Sequence, residues 1–262
     1  MKQRLGKLAI LLALLILPQD LFAQEIPDEY NGVVYRGRIG VVARGILDGN
    51  LIETNYRNHG EMSRWGDLPW GVWPRGVGGR HIDGVGVIVA GVVPGERVNY
   101  SEFYGNVADT LLNPVIINYR DAGKRQNPQT GELWGWLPLP GFNNPDRVDP
   151  VTGQASPTPA LSSDPESWPD FWPDRINEEI FGWAGSWNGL FGRGVLNADL
   201  ESYYVMDDFS DFEYGLNEDG NPYSEFGVFY PSPSDSTMGG LGTQTTVRIL
   251  QWANVLAEDT MF

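Results

Sequence analysis

Cysteine is absent from the 262 residues. That excludes disulfides, thiolate-bound zinc, iron–sulfur clusters, a cysteine nucleophile and lipid attachment at a lipobox cysteine. Histidine is nearly absent: His59 and His81 are the only two, so no mechanism that needs several imidazoles is open to the chain. Basic residues are scarce, with 18 Lys and Arg against 34 Asp and Glu and a formal net charge of -16. Phosphate backbones repel such a surface, which argues against nucleic acid as a partner. No stretch shows helical periodicity over 12 or more residues, and none is apolar for the roughly 20 residues that span a bilayer.

What is present begins with a leader. Lys2, Arg4 and Lys7 precede the apolar run Leu8–Leu17, Pro18 breaks it, and Leu21-Phe22-Ala23 reads as a cleavage site before Gln24. Residues 1–23 are therefore expected to be a signal peptide, leaving 24–262 as a single β-rich domain with no membrane span after cleavage. The remaining chain would carry 15 basic and 33 acidic residues, and Lys124 would be its only lysine. Such acidity suits salty or calcium-rich surroundings outside the inner membrane.

Gly and Pro, 33 and 19 in number, punctuate the chain and separate short β-like runs. Val33–Ile46 and Leu51–Tyr56 flank the turn Asp48-Gly49-Asn50 and predict a hairpin. Gly84–Val93 is apolar nearly throughout, as a strand buried on both faces would be. Leu112–Tyr119, interrupted by Pro114, reads as another strand. Between about 121 and 190, Pro, Asn, Asp, Gly and Ser dominate, with six tryptophans from Trp134 to Trp187 interspersed. Aromatics are rare in disordered segments, so this predicts an ordered, irregular excursion pinned by its tryptophans. Val195–Met206 alternates as a half-buried strand, with Leu196, Ala198, Leu200, Tyr204 and Met206 on one face and Asn197, Asp199, Glu201 and Tyr203 on the other. Phe226–Tyr230 and Thr245–Trp252 read as further strands. The expected fold class is all-β: an antiparallel, sandwich-like region formed by about 30–120 and 191–262, with the Pro/Trp-rich excursion between. The apolar end Met261-Phe262 reads as a strand truncated part-way.

These runs carry a resemblance. It rests on Asp48-Gly49-Asn50, Asn58-His59-Gly60, Gly71-Val72-Trp73-Pro74-Arg75-Gly76 and His81-Ile82-Asp83-Gly84-Val85-Gly86-Val87. Further along it rests on Trp134-Gly135-Trp136, Leu139-Pro140-Gly141-Phe142, Ser163-Asp164-Pro165-Glu166-Ser167-Trp168-Pro169, Phe191-Gly192-Arg193-Gly194 and Glu258-Asp259-Thr260. Over most of 35–262 the chain is similar to the N-terminal region of large secreted proteins of Gram-negative, mostly marine bacteria that carry fibronectin-type-III-like modules downstream. The resemblance implies a secreted or outer-surface location and further modules of the same polypeptide as partners. It supplies no catalytic residues.

Four sets of residues can carry chemistry. Asp199 and Glu201, two apart on a strand, would face one side at a spacing compatible with glycoside hydrolysis, or would simply be solvated. The acidic loop offers Asp207, Asp208, Asp211, Glu213, Asn217, Asp219 and Asn221 as hard oxygen ligands for calcium, although the spacing is not that of an EF-hand. Trp168 and Trp172, or Trp65, Trp70 and Trp73, can stack on sugar rings or can pin loops to the sheet. His59 and His81 read as surface or turn residues. No nucleotide-binding glycine loop and no Gly-x-Ser-x-Gly elbow occurs. The expected function is a non-enzymatic structural or adhesion-type surface module, with glycan or another surface protein as partner. The alternative is a carbohydrate-binding or carbohydrate-degrading module.

Overall fold

The computed structural model describes residues 36–93, 125–131, 133–224, 228–232 and 234–261, and the backbone of 98–99, 111–112 and 115–118. The leader at 1–23 and the interruption at Pro114 lie outside the described residues. In chain order the strands are β1 (Arg44–Leu47), β2 (Thr54–Arg57), β3 (Glu61–Met62), β4 (Val72–Trp73), β5 (Gly79–Arg80), β6 (Val85–Gly86), β7 (Val89–Val92) and β8 (Val98–Asn99). Then follow β9 (Leu111–Leu112), β10 (Val115–Asn118), β11 (Leu137–Pro138), β12 (Ala160–Leu161), β13 (Asn188–Gly189), β14 (Gly192–Arg193), β15 (Leu200–Asp207) and β16 (Gln244–Gln251). Every strand pair among the described residues is antiparallel. Helix is confined there to three-residue 3-10 turns. The fold is all-β.

The central element is β15, eight residues long. It pairs along its whole length with β16 on one side, and with the short β11 and β12 on the other. Its even-numbered residues Leu200, Tyr204 and Met206 pack with Leu47, Tyr56, Trp136 and Ile249. Its odd-numbered residues Tyr203 and Val205 pack with Leu139, Phe142, Ala160, Trp172 and Trp187. The period-2 alternation of a strand thus feeds two separate cores. One is covered by the sheet β1-β2-β3-β6, the other by the tryptophan-rich segment.

This corrects the half-buried reading of Val195–Met206. The strand begins only at Leu200, and all eight of its residues are buried. A second apolar layer arrives on what the sequence marks as the polar face, because the irregular excursion folds back over it. That excursion is integral to the sheet, since it contributes β11 and β12. Its indoles also fasten it: Trp136 Nε1 donates to the Val87 carbonyl at 3.0 Å, Trp172 Nε1 to Ser186 at 2.8 Å and Trp168 Nε1 to Leu161 at 2.6 Å.

The β1–β2 hairpin forms, but with a six-residue loop, because Leu47 pairs with Thr54. Leu51–Glu53 are taken by other partners: Leu51 N donates to the Glu258 carbonyl at 2.7 Å and Glu53 bridges Val72. Gly49 must be glycine, since a Cβ there would stand 2.4 Å from Leu200 Cβ. Gly84–Val93 departs most from expectation. It splits into β6 and β7, and Val85, Ile88 and Val92 point outward, each about half exposed or more. Val228–Tyr230 are not strand either, whereas Thr245–Trp252 corresponds to β16.

Candidate functional site

The acidic loop begins where β15 ends. Asp207 and Asp208 are fully buried, and their oxygens are used internally. Asp207 accepts from Gly37 N at 2.9 Å and from Phe209 N at 3.2 Å. Asp208 accepts from Leu241 N, Thr243 N and Thr243 Oγ1 at 2.7–2.9 Å, which clamps the chain entering β16. Asp211 and Glu213 both bind Arg125: Asp211 at 2.8 Å, and Glu213 through Arg125 Nε at 3.0 Å. Asn217 Oδ1 closes a separate turn by accepting from Asp219 N and Asn221 N at 3.0 and 2.8 Å.

The seven proposed calcium ligands therefore form two local structures rather than one shell. Four carboxylates tie loops and an arginine to the sheet, while Asn217, Asp219 and Asn221 shape a turn. Among the described residues no three Asp, Glu or His side chains converge as metal ligands. The donor set does not fit a calcium site, which needs six to eight oxygens around one point.

Burial has a measurable consequence here. It pushes the Asp207 carboxyl up to about 6, with the neighbouring Asp208 charge adding to the effect and the Gly37 and Phe209 amides opposing it. Burial likewise raises Asp208. A carboxyl whose folded pKa lies above its unfolded value binds more protons folded than unfolded over that interval. Stability then falls as pH rises from about 4 through about 6. Asp149 and Asp235 are shifted the other way, by hydrogen bonds from Thr152 and Thr237, and they lose stability only as pH falls below the ordinary carboxylate range. The melting temperature is accordingly expected to be highest near about pH 4 and to drop toward pH 7. Asp207 alone contributes on the order of 3 kcal/mol to that slope. Thermal scans from pH 4 to 8 on the wild type and on Asp207→Asn check it, and the variant should show the flatter profile.

Asp199 and Glu201 are not brought together as a pair facing one cleft. Glu201 is fully buried, accepting from Trp187 Nε1 at 2.9 Å, from Ala198 N at 3.0 Å and from Asn197 N. Asp199 precedes the strand, is exposed, and accepts from Ala253 N at 2.8 Å. The strand register that was to align them does not extend to Asp199. His59 does lie in a turn, but a buried one, with Nε2 3.6 Å from Glu61.

The tryptophans divide sharply. Trp172 is 1% exposed, with Trp187 edge-on at 5.6 Å and Tyr203 at 5.7 Å, so its ring offers no face to a sugar. Trp168 is half-buried against Trp187. Trp65 and Trp73 are exposed instead. Trp65 stacks on Trp70 at 5.4 Å, and the Arg80 guanidinium lies 4.7 and 4.3 Å from the two ring centroids. Trp73 meets the exposed His81 edge-on at 5.8 Å.

Around Trp73 and His81 the surface sinks into a hollow of about 310 Å3, lined by Ile52, Gly71, Trp73, His81, Ile82 and Asp259. A second hollow of about 200 Å3, lined by Arg80, His81, Ile82 and Asp83, shares two of those residues and continues it. Sequence reading names Trp65 and Trp73 among the aromatics but overlooks Asp259 and Ile82. Both stand in runs quoted for the resemblance, but nothing local marks either as a binding residue, and Asp259 lies 179 residues beyond Arg80, the last residue of the β4–β5 hairpin. No protein family, curated protein or solved structure matches the chain.

Proposed function

We propose that the chain is a non-enzymatic, adhesion-type recognition module of an exported surface protein. The observation that supports it most is the contrast between carboxylates used inside the fold and aromatic side chains left at the surface. Glu201, Asp207, Asp208 and Asp211 are spent on internal hydrogen bonds and ion pairs, while Trp65, Trp73 and His81 stand exposed on a turn, a short strand and the segment after β5. A rigid β scaffold that presents side chains from its loops is the usual physical basis of recognition without chemistry. The leader-like composition of Met1–Ala23 favours export, and the resemblance drawn from the sequence runs would add further modules of the same polypeptide as neighbours.

The test is direct. In Gram-negative cells expressing the full chain, the accumulated protein should begin at Gln24, and protease added to intact cells or to the medium should reach it. A product that keeps Met1 and fractionates with the cytoplasm would overturn the reading.

A further inference from the structure

We propose that the hollow at Trp73, His81 and Asp259 is a sugar subsite, taking one neutral pyranose ring of a polysaccharide with its CH face on the Trp73 indole. This rests on the reading of the chain as a recognition module and gives that module its ligand class.

The site is built before any ligand arrives. Trp73 ends β4 opposite Gly79, and the turn beyond it is closed by Gly78 N donating to the Pro74 carbonyl at 2.7 Å. The backbone passes so closely that a Cβ on Gly78 would lie 1.9 Å from the Trp73 carbonyl oxygen. Arg75 N donates to Leu51 at 2.8 Å, and His81 N to Gly71 at 2.8 Å. Gly71 has a φ of +56, and a Cβ there would strike Ile82 at 2.5 Å, so glycine lets the two walls meet. The opposite wall is the segment around Asp259. It is held by Leu51 N donating to the Glu258 carbonyl and by Asn50 Nδ2 donating to the Thr260 carbonyl at 2.6 Å. Both walls are thus fastened to the same loop, 48–53, and little ordering remains to oppose binding.

The lining selects the ligand class. Trp73 is 43% exposed and lines the hollow, although the fold buries Trp136, Trp172 and Trp187 almost completely. Its volume places the larger hollow at the small end of ligand sites, roughly 300–1,000 Å3, room for one ring and not for a lipid chain. Asp259 and Asp83 only accept hydrogen bonds when ionised, Arg80 only donates, and His81 does either. A sugar hydroxyl both donates and accepts, so it can use all four. The two adjoining hollows together carry charges of both signs, which disfavours an ion. An anion would meet Asp83, Asp259 and a chain of net charge -16, while a cation would meet Arg80.

Calorimetric titration with cellohexaose, laminarihexaose and mannohexaose, each up to about 10 mM, tests the assignment. At least one should bind. Trp73→Ala should weaken it roughly tenfold or more, as loss of a central aromatic anchor does, while Phe191→Ala, at an exposed aromatic that lines neither hollow, leaves it unchanged. If Trp73→Ala does not fold, Asp259→Ala carries the test: weaker binding supports the subsite, and unaltered binding overturns it. Silence from all three hexaoses, or full affinity in Trp73→Ala, also overturns it. Surface exposure on cells combined with such silence would remove this site and leave the adhesion reading standing; cytoplasmic retention with sugar binding would do the reverse.

Discussion

Trp187→Ala should cost the protein about 3–5 kcal/mol, the range for truncating a fully buried large aromatic. Trp187 is 2% exposed and stands at the junction of the excursion and the central strand. Its ring lies 5.7 Å from Trp168 and 5.6 Å, edge-on, from Trp172, and its Nε1 donates to the buried Glu201 carboxylate at 2.9 Å. Truncation therefore empties the second core and strips a buried carboxylate of a donor at the same time. The two losses can be separated. Trp187→Phe keeps most of the packing and removes only the donor, and should cost about 1–3 kcal/mol. With total stability commonly 5–15 kcal/mol, the alanine variant sits near the limit of folding. Urea unfolding measured by far-UV circular dichroism gives both numbers. A cost under about 1 kcal/mol for Trp187→Ala would mean that the excursion is not anchored through this residue.

Arg125→Gln should be nearly as damaging, for an electrostatic reason. Arg125 binds Asp211 at 2.8 Å and Glu213 at 3.0 Å across 86 and 88 residues of sequence, and Asp211 is 2% exposed. Removing the cation leaves a buried carboxylate without its counter-charge. Breaking one side of a buried pair typically costs about 3–5 kcal/mol, whereas replacing both sides costs far less. Arg125→Gln combined with Asp211→Asn should therefore be more stable than Arg125→Gln alone. The single variant should also recover part of its loss as pH falls and Asp211 takes up a proton. A double-mutant cycle at pH 7, with the single variant repeated at pH 5, measures both. Additive losses would show that Arg125 acts by packing alone.

Both expectations concern contacts that hold loops to the sheet, and that bears on function. The hollow at Trp73 is fixed by loop 48–53, which Gln251 at the end of β16 also grips: Gln251 Oε1 accepts from Gly49 N at 2.8 Å, and Nε2 donates to Asn50 Oδ1 at 3.0 Å. The central sheet thus reaches the rim of that hollow through one buried amide. A surface held this way spends little of its binding free energy on ordering itself.

Much of the architecture is legible in the order of residues. Period-2 alternation and the spacing of Gly and Pro point to an all-β chain. Six tryptophans between Trp134 and Trp187 point to an ordered excursion, because rings of that size in a Pro- and Asn-rich segment must be buried somewhere. Which ring is buried is another matter. Trp172 and Trp73 both precede a proline, yet one is sealed beneath Tyr203 and the other faces solvent. Only the layer lying above each decides that. The same holds for Gly84–Val93, whose apolar composition reads as core although Val85, Ile88 and Val92 point outward, and for Glu201, whose polar character reads as surface although Trp187 and the amides of Asn197 and Ala198 enclose it.

The sequence by itself determined the β class, the strand period, the turns and the acidity, because each depends on a residue and its near neighbours. The tertiary structure decided that β15 has two buried faces, that Asp211 meets Arg125, and that Trp73 shares a hollow with Asp259. These are meetings of segments tens to hundreds of residues apart. A local pattern records which way a side chain points along its own strand, but not what the rest of the chain will lay against it.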